Sequence, residues 1–306
     1  MRIAFYGGEG PAAFWINGFR AAWPQAELVP WAPGNAPAEF AVVWAPPQAF
    51  FDEQPGLKAV FNLGAGVDAL LKLRIPPQTQ VVRLDDAGMA VQMAEYVCHA
   101  VIRHFRALDV YEADARAGRW TYRPPALRAD FAVGVMGLGV LGTRVAQALR
   151  CFDFPVHGWS RSPRALDGVR CFAGEAQFDA FLGASKVLVC LLPLTAQTQD
   201  LLNRRTLSLL QPGGYLINVA RGAQLVEEDL LALLDSGHLA GATLDVFRTE
   251  PLPAGHPFWT HPKISITPHT SARTLQEESI AQIAAKMQAM LQGQPVVGVV
   301  ERLRGY

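Results

Sequence analysis

One six-residue glycine loop constrains the fold of this 306-residue chain more than any other feature. Residues 132–136 form a short apolar run and residues 143–149 have a helical pattern, so the loop joins a predicted strand to a predicted helix. In such a loop the first glycine permits a tight turn, the second lets the backbone approach a pyrophosphate, and the third allows close helix–strand packing. The N–H groups at the helix start attract an anion. The loop predicts a dinucleotide-binding turn, and it consists of Gly137, Leu138, Gly139, Val140, Leu141 and Gly142.

Short apolar runs alternate with helix-like stretches along the whole chain, a pattern typical of parallel sheets covered by helices. The alternation predicts two α/β units, with the last helix packing back on the first unit. The predicted strands of the first unit are residues 2–6, 27–31, 40–44, 58–63 and 81–84. The predicted strands of the second unit are residues 132–136, 156–160, 186–192, 215–220, 242–246 and 264–267.

Three segments have the pattern of longer helices. Residues 12–23 form the first, in which four aromatic residues have the spacing of one helical face: Phe14, Trp15, Phe19 and Trp23. Residues 90–116 contain no proline and predict one long helix, whereas a glycine and two prolines predict a linker over 118–128. Residues 275–291 predict a final amphipathic helix that Gly293 ends.

Charge and hydropathy exclude several classes of protein. Lys and Arg number 27, as do Asp and Glu, so the net charge is zero and no global positive field attracts nucleic acid or an anionic membrane. The longest apolar run, residues 187–194, is far below the ~18 residues that a membrane span requires. Residues 1–6, followed by the glycine-rich residues 7–10, are too short a run for a secretory signal. We therefore predict a soluble, cytoplasmic protein without nucleic-acid or membrane partners.

The cysteines each lie in an apolar stretch, and none forms a C-x-x-C pair with another. This placement predicts small, buried and inert thiols rather than disulfides or metal ligands. The four residues are Cys98, Cys151, Cys171 and Cys190.

The end of the strand after the glycine loop distinguishes between dinucleotides. Folds that prefer NAD place Asp or Glu there, about 20 residues past the loop, to bind the ribose hydroxyls. This chain has Ser160 at that point, followed by Arg161, Ser162 and Arg164. A carboxylate would repel a 2′-phosphate, whereas guanidinium and hydroxyl groups bind it. The turn predicts NADPH as the preferred cofactor, with NADH use, or a basic surface turn that binds nothing, as the alternatives.

Arg221, Glu250 and His269 each follow a predicted strand of the second unit. The carboxyl ends of such strands carry the functional residues of doubly wound domains. Arginine binds a carboxylate with a planar fork, and histidine can donate a proton near neutral pH. A glutamate beside the imidazole favours its charged form and orients the ring. Each residue alone is more often structural, but together they meet the needs of 2-keto acid reduction.

Several longer motifs point to one family. They are residues 62–68 (NLGAGVD), 137–142 (GLGVLG), 192–195 (LPLT), 218–222 (NVARG), 244–247 (LDVF) with 250–252 (EPL), and 268–269 (PH). With them the chain resembles the D-isomer-specific 2-hydroxyacid dehydrogenase family over essentially its whole length, most closely the glyoxylate/hydroxypyruvate reductase A branch. The resemblance implies reduction of small 2-keto acids with NADPH, glyoxylate to glycolate and hydroxypyruvate to D-glycerate.

The resemblance also implies residue roles. His269 would be the acid/base, Glu250 its partner, and Arg221 the carboxylate anchor and carbonyl polariser. Asp245 would approach the nicotinamide carboxamide. Further cofactor contacts would come from Leu192, Pro193 and Ala220. The substrate carboxylate would be held by the backbone N–H groups around Ala65, Gly66 and Val67.

By the same resemblance the fold has two Rossmann-like or flavodoxin-like parallel-sheet domains with an interdomain active-site cleft. The substrate domain would be discontinuous, residues 1–97 plus 270–306, and the dinucleotide-binding domain would be residues 98–269. Met89 resembles a position near that cleft. Trp44, at the end of a predicted strand, is either a wall of the substrate pocket or a core residue. The long helix could supply the surface of a homodimer.

Two other functions stay open at this point. One is a D-2-hydroxyacid dehydrogenase for lactate, phosphoglycerate or a bulkier keto acid. The Ser160–Arg161 turn argues against the NAD-linked members of this group. The other is a non-catalytic protein that senses NAD(P), against which the complete Arg–Glu–His set argues. Turnover of reduced cofactor with a panel of keto acids distinguishes them.

Overall fold

The computed structural model describes residues 1–7 and 12–305, so most of the glycine-rich stretch 7–10 lies outside the described residues. The chain divides into two compact units. The first consists of Met1–Met89 and Arg273–Tyr306, and the second of Ala90–Ala272.

The strands of the described residues follow the sequence pattern closely. They are β1 (Arg2–Tyr6), β2 (Glu27–Pro30), β3 (Phe40–Val43), β4 (Ala59–Asn62), β5 (Gln80–Val82), β6 (Val133–Met136), β7 (Val156–Ser160), β8 (Arg170–Ala173), β9 (Val187–Cys190), β10 (Gly214–Asn218), β11 (Leu239–Leu244) and β12 (Ile264–Ile266). Every strand predicted from the sequence is present, and β8 was missed. It is a short edge strand with only Phe172 buried, so it lacks the apolar run that marks the others.

The helices of the same residues vary widely in length. The α-helices are α1 (Ala13–Ala22), α2 (Gln48–Asp52), α3 (Met89–Phe105), α4 (Leu108–Arg116), α5 (Val140–Arg150), α6 (Phe178–Gly183), α7 (Arg204–Leu207), α8 (Glu227–Asp235) and α9 (Gln276–Leu291). Short 3-10 helices span Leu70–Lys72, Arg128–Asp130, Glu175–Gln177, Gly222–Gln224 and Pro257–Trp259. Across the described part of the chain, no helix is both long and apolar enough to cross a membrane.

The first unit is a five-stranded parallel sheet in the order β2-β1-β3-β4-β5, the flavodoxin-like order. Helix α9, from the end of the chain, packs against α1 within this unit, as the sequence predicted. Phe19 is fully buried and Trp15 and Trp23 pack partly buried around it. The prediction for Phe14 was wrong: it is 42% exposed, because one position before Trp15 turns it about 100° away from the buried face.

The second unit is a seven-stranded parallel sheet in the order β12-β11-β10-β9-β6-β7-β8. Numbered from β6, its first six strands have the 3-2-1-4-5-6 order of a Rossmann fold, and β12 extends one edge. The order reverses next to β6, whose carboxyl end carries the glycine loop. This topological switch point is where doubly wound folds bind their ligands.

The predicted continuous helix over residues 90–116 was wrong. Helix α3 ends at Phe105, and α4 begins at Leu108 after Ala107 adopts a left-handed φ of 50°. Phe105 is buried at this break against Phe131 and Phe154, so tertiary packing ends a helix that the local sequence would continue. The predicted linker has no regular structure until Arg128, and it lies within the second unit rather than between units.

The cysteines are free thiols, but only two are buried as predicted. Burial raises the pKa of Cys98 to about 11 and that of Cys190 to about 12, so both thiols stay protonated and inert. Cys171 is half-buried on edge strand β8, and Cys151 is exposed. The prediction failed for Cys151, which lies just after the last residue of α5 and is exposed at the end of the helix.

Candidate active site

The carboxyl ends of five strands of the second unit lie in one row. The strand register pairs Met136 with Cys190, Cys190 with Asn218, Asn218 with Leu244, and Leu244 with Ile266. All five strands are parallel, so the segments that follow them leave the sheet at the same edge. The glycine loop and the segments that contain Arg221, Glu250 and His269 are four of these segments.

The glycine loop has the geometry that the motif requires. Gly137 has a φ of +108°, and a Cβ there would lie 3.0 Å from the Leu191 carbonyl oxygen. A Cβ at Gly142 would overlap the Gly137 carbonyl oxygen, so α5 can approach the loop only with glycine at this position. At Gly139, which precedes the first residue of α5, a Cβ would meet nothing within 4 Å. This open space beside a helix start fits the pyrophosphate of a dinucleotide.

The turn after β7 is exposed and basic. Arg161, Ser162 and Arg164 are exposed, and the Ser160 hydroxyl donates to the Ser162 carbonyl oxygen at 2.8 Å. The serine hydroxyl thus shapes the turn itself, while the two guanidinium groups provide its positive charge. The charge suits a 2′-phosphate, as the sequence predicted for this position.

Arg221 follows β10 in a loop that buried amide side chains support. Asn218, fully buried, donates from Nδ2 to the Arg221 carbonyl oxygen at 3.2 Å and accepts from the Ala220 N–H. The Arg221 guanidinium donates from Nη1 to the Ala220 carbonyl oxygen at 2.7 Å. A Cβ at Gly222 would overlap the Phe247 backbone, so this glycine lets the loops after β10 and β11 touch.

Glu250 and His269 form a direct pair. His269 Nδ1 lies 2.8 Å from Glu250 Oε2, and Glu250 Oε1 accepts from the Phe247 N–H at 2.9 Å. The side chains are 45% and 36% exposed, so the imidazole is oriented by the carboxylate while remaining accessible. Both segments continue from neighbouring strands, which is why residues 19 positions apart meet.

Asp245 fixes the backbone around His269. It is fully buried and accepts from Thr267 Oγ1 at 2.5 Å and from the N–H groups of Thr270 and Ser271 at 2.8 Å each. Its carbonyl oxygen also accepts from the His269 N–H at 2.8 Å. These bonds hold His269 at a left-handed φ of 53°, a conformation that costs a non-glycine residue roughly 1–2 kcal/mol. The nicotinamide contact of Asp245 stays a prediction.

The first unit has its own candidate loop, residues 64–67 after β4. Asn62 is buried, and its Nδ2 donates to the carbonyl oxygens of Gly64 at 3.1 Å and Gly66 at 2.8 Å. Ala65 and Gly66 are half-buried, and the Val67 side chain is buried in the core. Trp44 lies over Gly64 and is 48% exposed, so the core alternative for this indole was wrong.

Met89, the first residue of α3, is 5% exposed. It is therefore a core residue of the described structure. Any role in a site stays a prediction.

Sequence reasoning missed a set of buried polar residues that support these loops. Asn62, Asn218 and Gln224 carry amides in apolar surroundings next to strand ends, and Thr267 contacts both Asp245 and the Tyr96 hydroxyl. Burial of an amide side chain costs free energy unless its hydrogen bonds are satisfied. An amide at the end of an apolar strand was therefore the sequence signal for a residue that supports a loop. Among the described residues, no group of three or more His, Cys, Asp or Glu is arranged to hold a metal ion.

The comparisons with known proteins define the class. Residues 98–271 match the NAD binding domain of the D-isomer specific 2-hydroxyacid dehydrogenases. The chain is also 47% identical over its full length to the whole glyoxylate/hydroxypyruvate reductase A of Serratia proteamaculans (strain 568). It therefore belongs to the D-isomer specific 2-hydroxyacid dehydrogenase family.

Two solved structures are similar over all of this chain and 99% of theirs. One is a D-isomer specific 2-hydroxyacid dehydrogenase from Xanthobacter autotrophicus Py2 in complex with NADPH and MES, with a TM-score of 0.95 and 40% identity. The other is an NADPH-dependent glyoxylate/hydroxypyruvate reductase from Sinorhizobium meliloti in complex with NADP and sulfate, with a TM-score of 0.93 and 34% identity. The predicted family and two-domain α/β fold are confirmed.

Proposed function

We propose that the chain is an NADPH-dependent reductase of small 2-keto acids, with glyoxylate and hydroxypyruvate as substrates and glycolate and D-glycerate as products. The observation that carries the proposal is the His269–Glu250 pair, which follows the same row of strand ends as the glycine loop and Arg221. The names and bound cofactors of the relatives from Serratia, Xanthobacter and Sinorhizobium support the same reaction.

The proton in this reaction comes from His269. Glu250 accepts from Nδ1–H of the charged imidazole, which orients the ring and leaves the Nε2–H for the substrate oxygen. Glu250 is itself held by the Phe247 N–H, so it does not rotate away when the imidazole loses its proton. NADPH, when bound, supplies the hydride that adds to the keto carbon. Proton donation at the oxygen balances that addition and gives the hydroxy acid.

Arg221 and the loop of the first unit recognise the substrate anion. The Arg221 guanidinium pairs with the keto acid carboxylate and polarises the carbonyl group. In the first unit, carboxylate binding is assigned to the N–H groups around Ala65, Gly66 and Val67, and Asn62 prepares this loop by holding the Gly64 and Gly66 carbonyl oxygens. Trp44, half-exposed over Gly64, limits the size of the substrate side chain.

The cofactor is bound by the second unit. The glycine loop would hold the pyrophosphate of the cofactor, and Arg161 and Arg164 with the Ser160–Ser162 turn would hold its 2′-phosphate. Further contacts come from Leu192, Pro193, Ala220 and Asp245. In this assignment residues 98–269 are the cofactor domain, and residues 1–97 with 270–306 are the substrate domain.

The working form of the protein in this proposal is a cytoplasmic homodimer. The segment between α4 and Arg128, called the apolar arm here, supports the dimer. Its residues Trp120, Tyr122 and Leu127 are 102%, 83% and 69% exposed. Asp114, whose side chain is nearly buried, anchors the arm through ion pairs with Arg119 at 2.7 Å and Arg123 at 3.4 Å. A protein partner would cover this large apolar surface. The free thiols fit a reducing compartment.

Spectrophotometric NADPH oxidation with glyoxylate, hydroxypyruvate, pyruvate and phenylpyruvate tests the proposal. We expect turnover with glyoxylate and hydroxypyruvate, and a fall in kcat of about 10²–10⁴-fold in His269→Ala. His99→Ala, an exposed histidine on α3, is the matched control. Cofactor binding without turnover on any keto acid would instead favour a sensor of NADPH. A near-normal rate in His269→Ala would refute the role of this residue.

A further inference from the structure

Gln224 is a buried side chain to which the proposed function assigns no role. It ends the 3-10 helix Gly222–Gln224 and has no exposed surface. Nε2 donates to the carbonyl oxygens of Leu192 at 3.1 Å and Pro193 at 3.2 Å. Oε1 accepts from the Arg221 N–H at 3.1 Å and from Cys190 Sγ at 3.5 Å. Two donors and two acceptor positions are thus all in use.

The carboxamide joins the two segments that carry different ligands in the proposed site. Leu192 and Pro193 follow β9 and are assigned to the cofactor, whereas Arg221 follows β10 and is assigned to the keto acid. The Gln224 N–H also donates to the Arg221 carbonyl oxygen at 3.2 Å, so both main-chain groups of Arg221 are bonded to this one residue. Because no part of the side chain reaches solvent, water cannot replace any of these bonds.

We propose that Gln224 is a positioning residue that sets the Leu192–Pro193 segment and Arg221 in register with each other. This inference rests on the proposed function, because the hydrogen bonds of the Gln224 carboxamide end on residues that are assigned there to the cofactor and the keto acid. The donor arm, Nε2, holds the cofactor segment. The acceptor arm, Oε1, holds the backbone of the arginine. A loss of the first should weaken NADPH binding, and a loss of the second should weaken keto acid binding.

Two substitutions separate the arms. Gln224→Met has a similar length and removes both arms. Gln224→Glu keeps an acceptor oxygen for the Arg221 N–H and replaces the donors with oxygen, which repels the carbonyl oxygens of Leu192 and Pro193. Gln211→Met is the matched control, because Gln211 also donates an amide hydrogen bond, to Ala184, but precedes β10 at the opposite edge of the sheet.

The experiment measures the Kd of NADPH by fluorescence titration, the KM and kcat for glyoxylate, and the Tm of each variant. We expect Gln224→Met to raise both the NADPH Kd and the glyoxylate KM by about tenfold each. Gln224→Glu should raise the NADPH Kd by about tenfold or more, with a glyoxylate KM within about threefold of the wild type. Protonation of the new carboxyl restores a donor, so the NADPH affinity of Gln224→Glu should improve as the pH falls, beyond any change in the wild type.

Wild-type values of Kd and KM in folded Gln224→Met would overturn the inference, as would a Tm loss with unchanged constants. If Gln224→Met does not fold, an unchanged NADPH Kd in Gln224→Glu overturns it. A wild-type protein that binds NADPH but reduces no keto acid contradicts the proposed function instead, and the NADPH titrations then still decide the role of the donor arm. The control should leave Kd and KM unchanged.

Discussion

Gly139→Ala is a direct test of the cofactor site because the structure separates its effect on folding from its effect on binding. The backbone at Gly139 is extended, with φ −77° and ψ −162°, a conformation that alanine also adopts. A Cβ at this position would meet nothing within 4 Å. The substitution should therefore leave the fold intact and place a methyl group where the pyrophosphate approaches.

The expected loss of folding stability is smaller than the expected loss of NADPH binding free energy. Gly139 is the N-cap of α5, and replacement of a favourable N-cap residue by alanine costs about 1 kcal/mol, or roughly 2–4 °C in Tm. Loss of one hydrogen bond to a charged phosphate costs about 1.5–3 kcal/mol. That cost corresponds to a rise in the NADPH Kd of roughly 10- to 150-fold.

Fluorescence titration with NADPH and thermal unfolding with and without NADPH measure both quantities. Gly183→Ala is the matched control, because its Cβ would contact only the Leu209 carbonyl oxygen, at 3.8 Å. The control should keep the wild-type Kd and the wild-type stabilisation by NADPH. An affinity of folded Gly139→Ala within about twofold of the wild type would show that the pyrophosphate does not approach this residue.

Three further predictions concern pH, cofactor choice and substrate size. His104 stacks on Tyr215, and burial lowers its pKa from 6.5 to about 4, so the unfolded chain takes up a proton at this histidine before the folded chain does as the pH falls. The free energy of unfolding should therefore drop by about 2 kcal/mol between pH 7 and 5. Urea titrations at both pH values should show that His104→Phe loses this drop. Arg161→Ala should raise the KM for NADPH by about tenfold and barely change that for NADH, and equal changes with both cofactors would contradict a 2′-phosphate site. Trp44→Ala should raise kcat/KM for phenylpyruvate relative to glyoxylate, because the half-exposed indole over Gly64 is removed; an unchanged ratio in steady-state assays would exclude the indole as a pocket wall.

Two errors of the sequence predictions, the unbroken helix over residues 90–116 and the missed strand β8, have a common physical cause. Ala107 is a strong helix former by itself, yet it adopts a left-handed conformation where Phe105 packs on Phe131 and Phe154. Strand β8 is at the edge of the sheet and pairs with β7 alone, and it forms without the apolar run that marks the other strands. In both places a contact with a distant segment decided the local conformation, and no local pattern records such a contact.

Local patterns along the chain were enough to predict every strand except β8, the glycine loop and a set of candidate catalytic residues. Strand and loop signals are local, and parallel strands bring their carboxyl ends together whatever the details of packing. That is why Arg221, Glu250 and His269 could be assigned to one edge of a sheet before any distance between them was known.

The way those side chains are held depends on contacts that exist only in the folded chain. The left-handed backbone of His269 depends on Asp245, which lies 24 positions earlier, and the Arg221 backbone shares the Gln224 carboxamide with a segment about 30 positions away. Such bonds depend on the depth and direction of a buried side chain, and spacing along the chain specifies neither. The choice of candidate residues follows from the chain's pattern, whereas the orientation of their backbone follows from hydrogen bonds between distant segments.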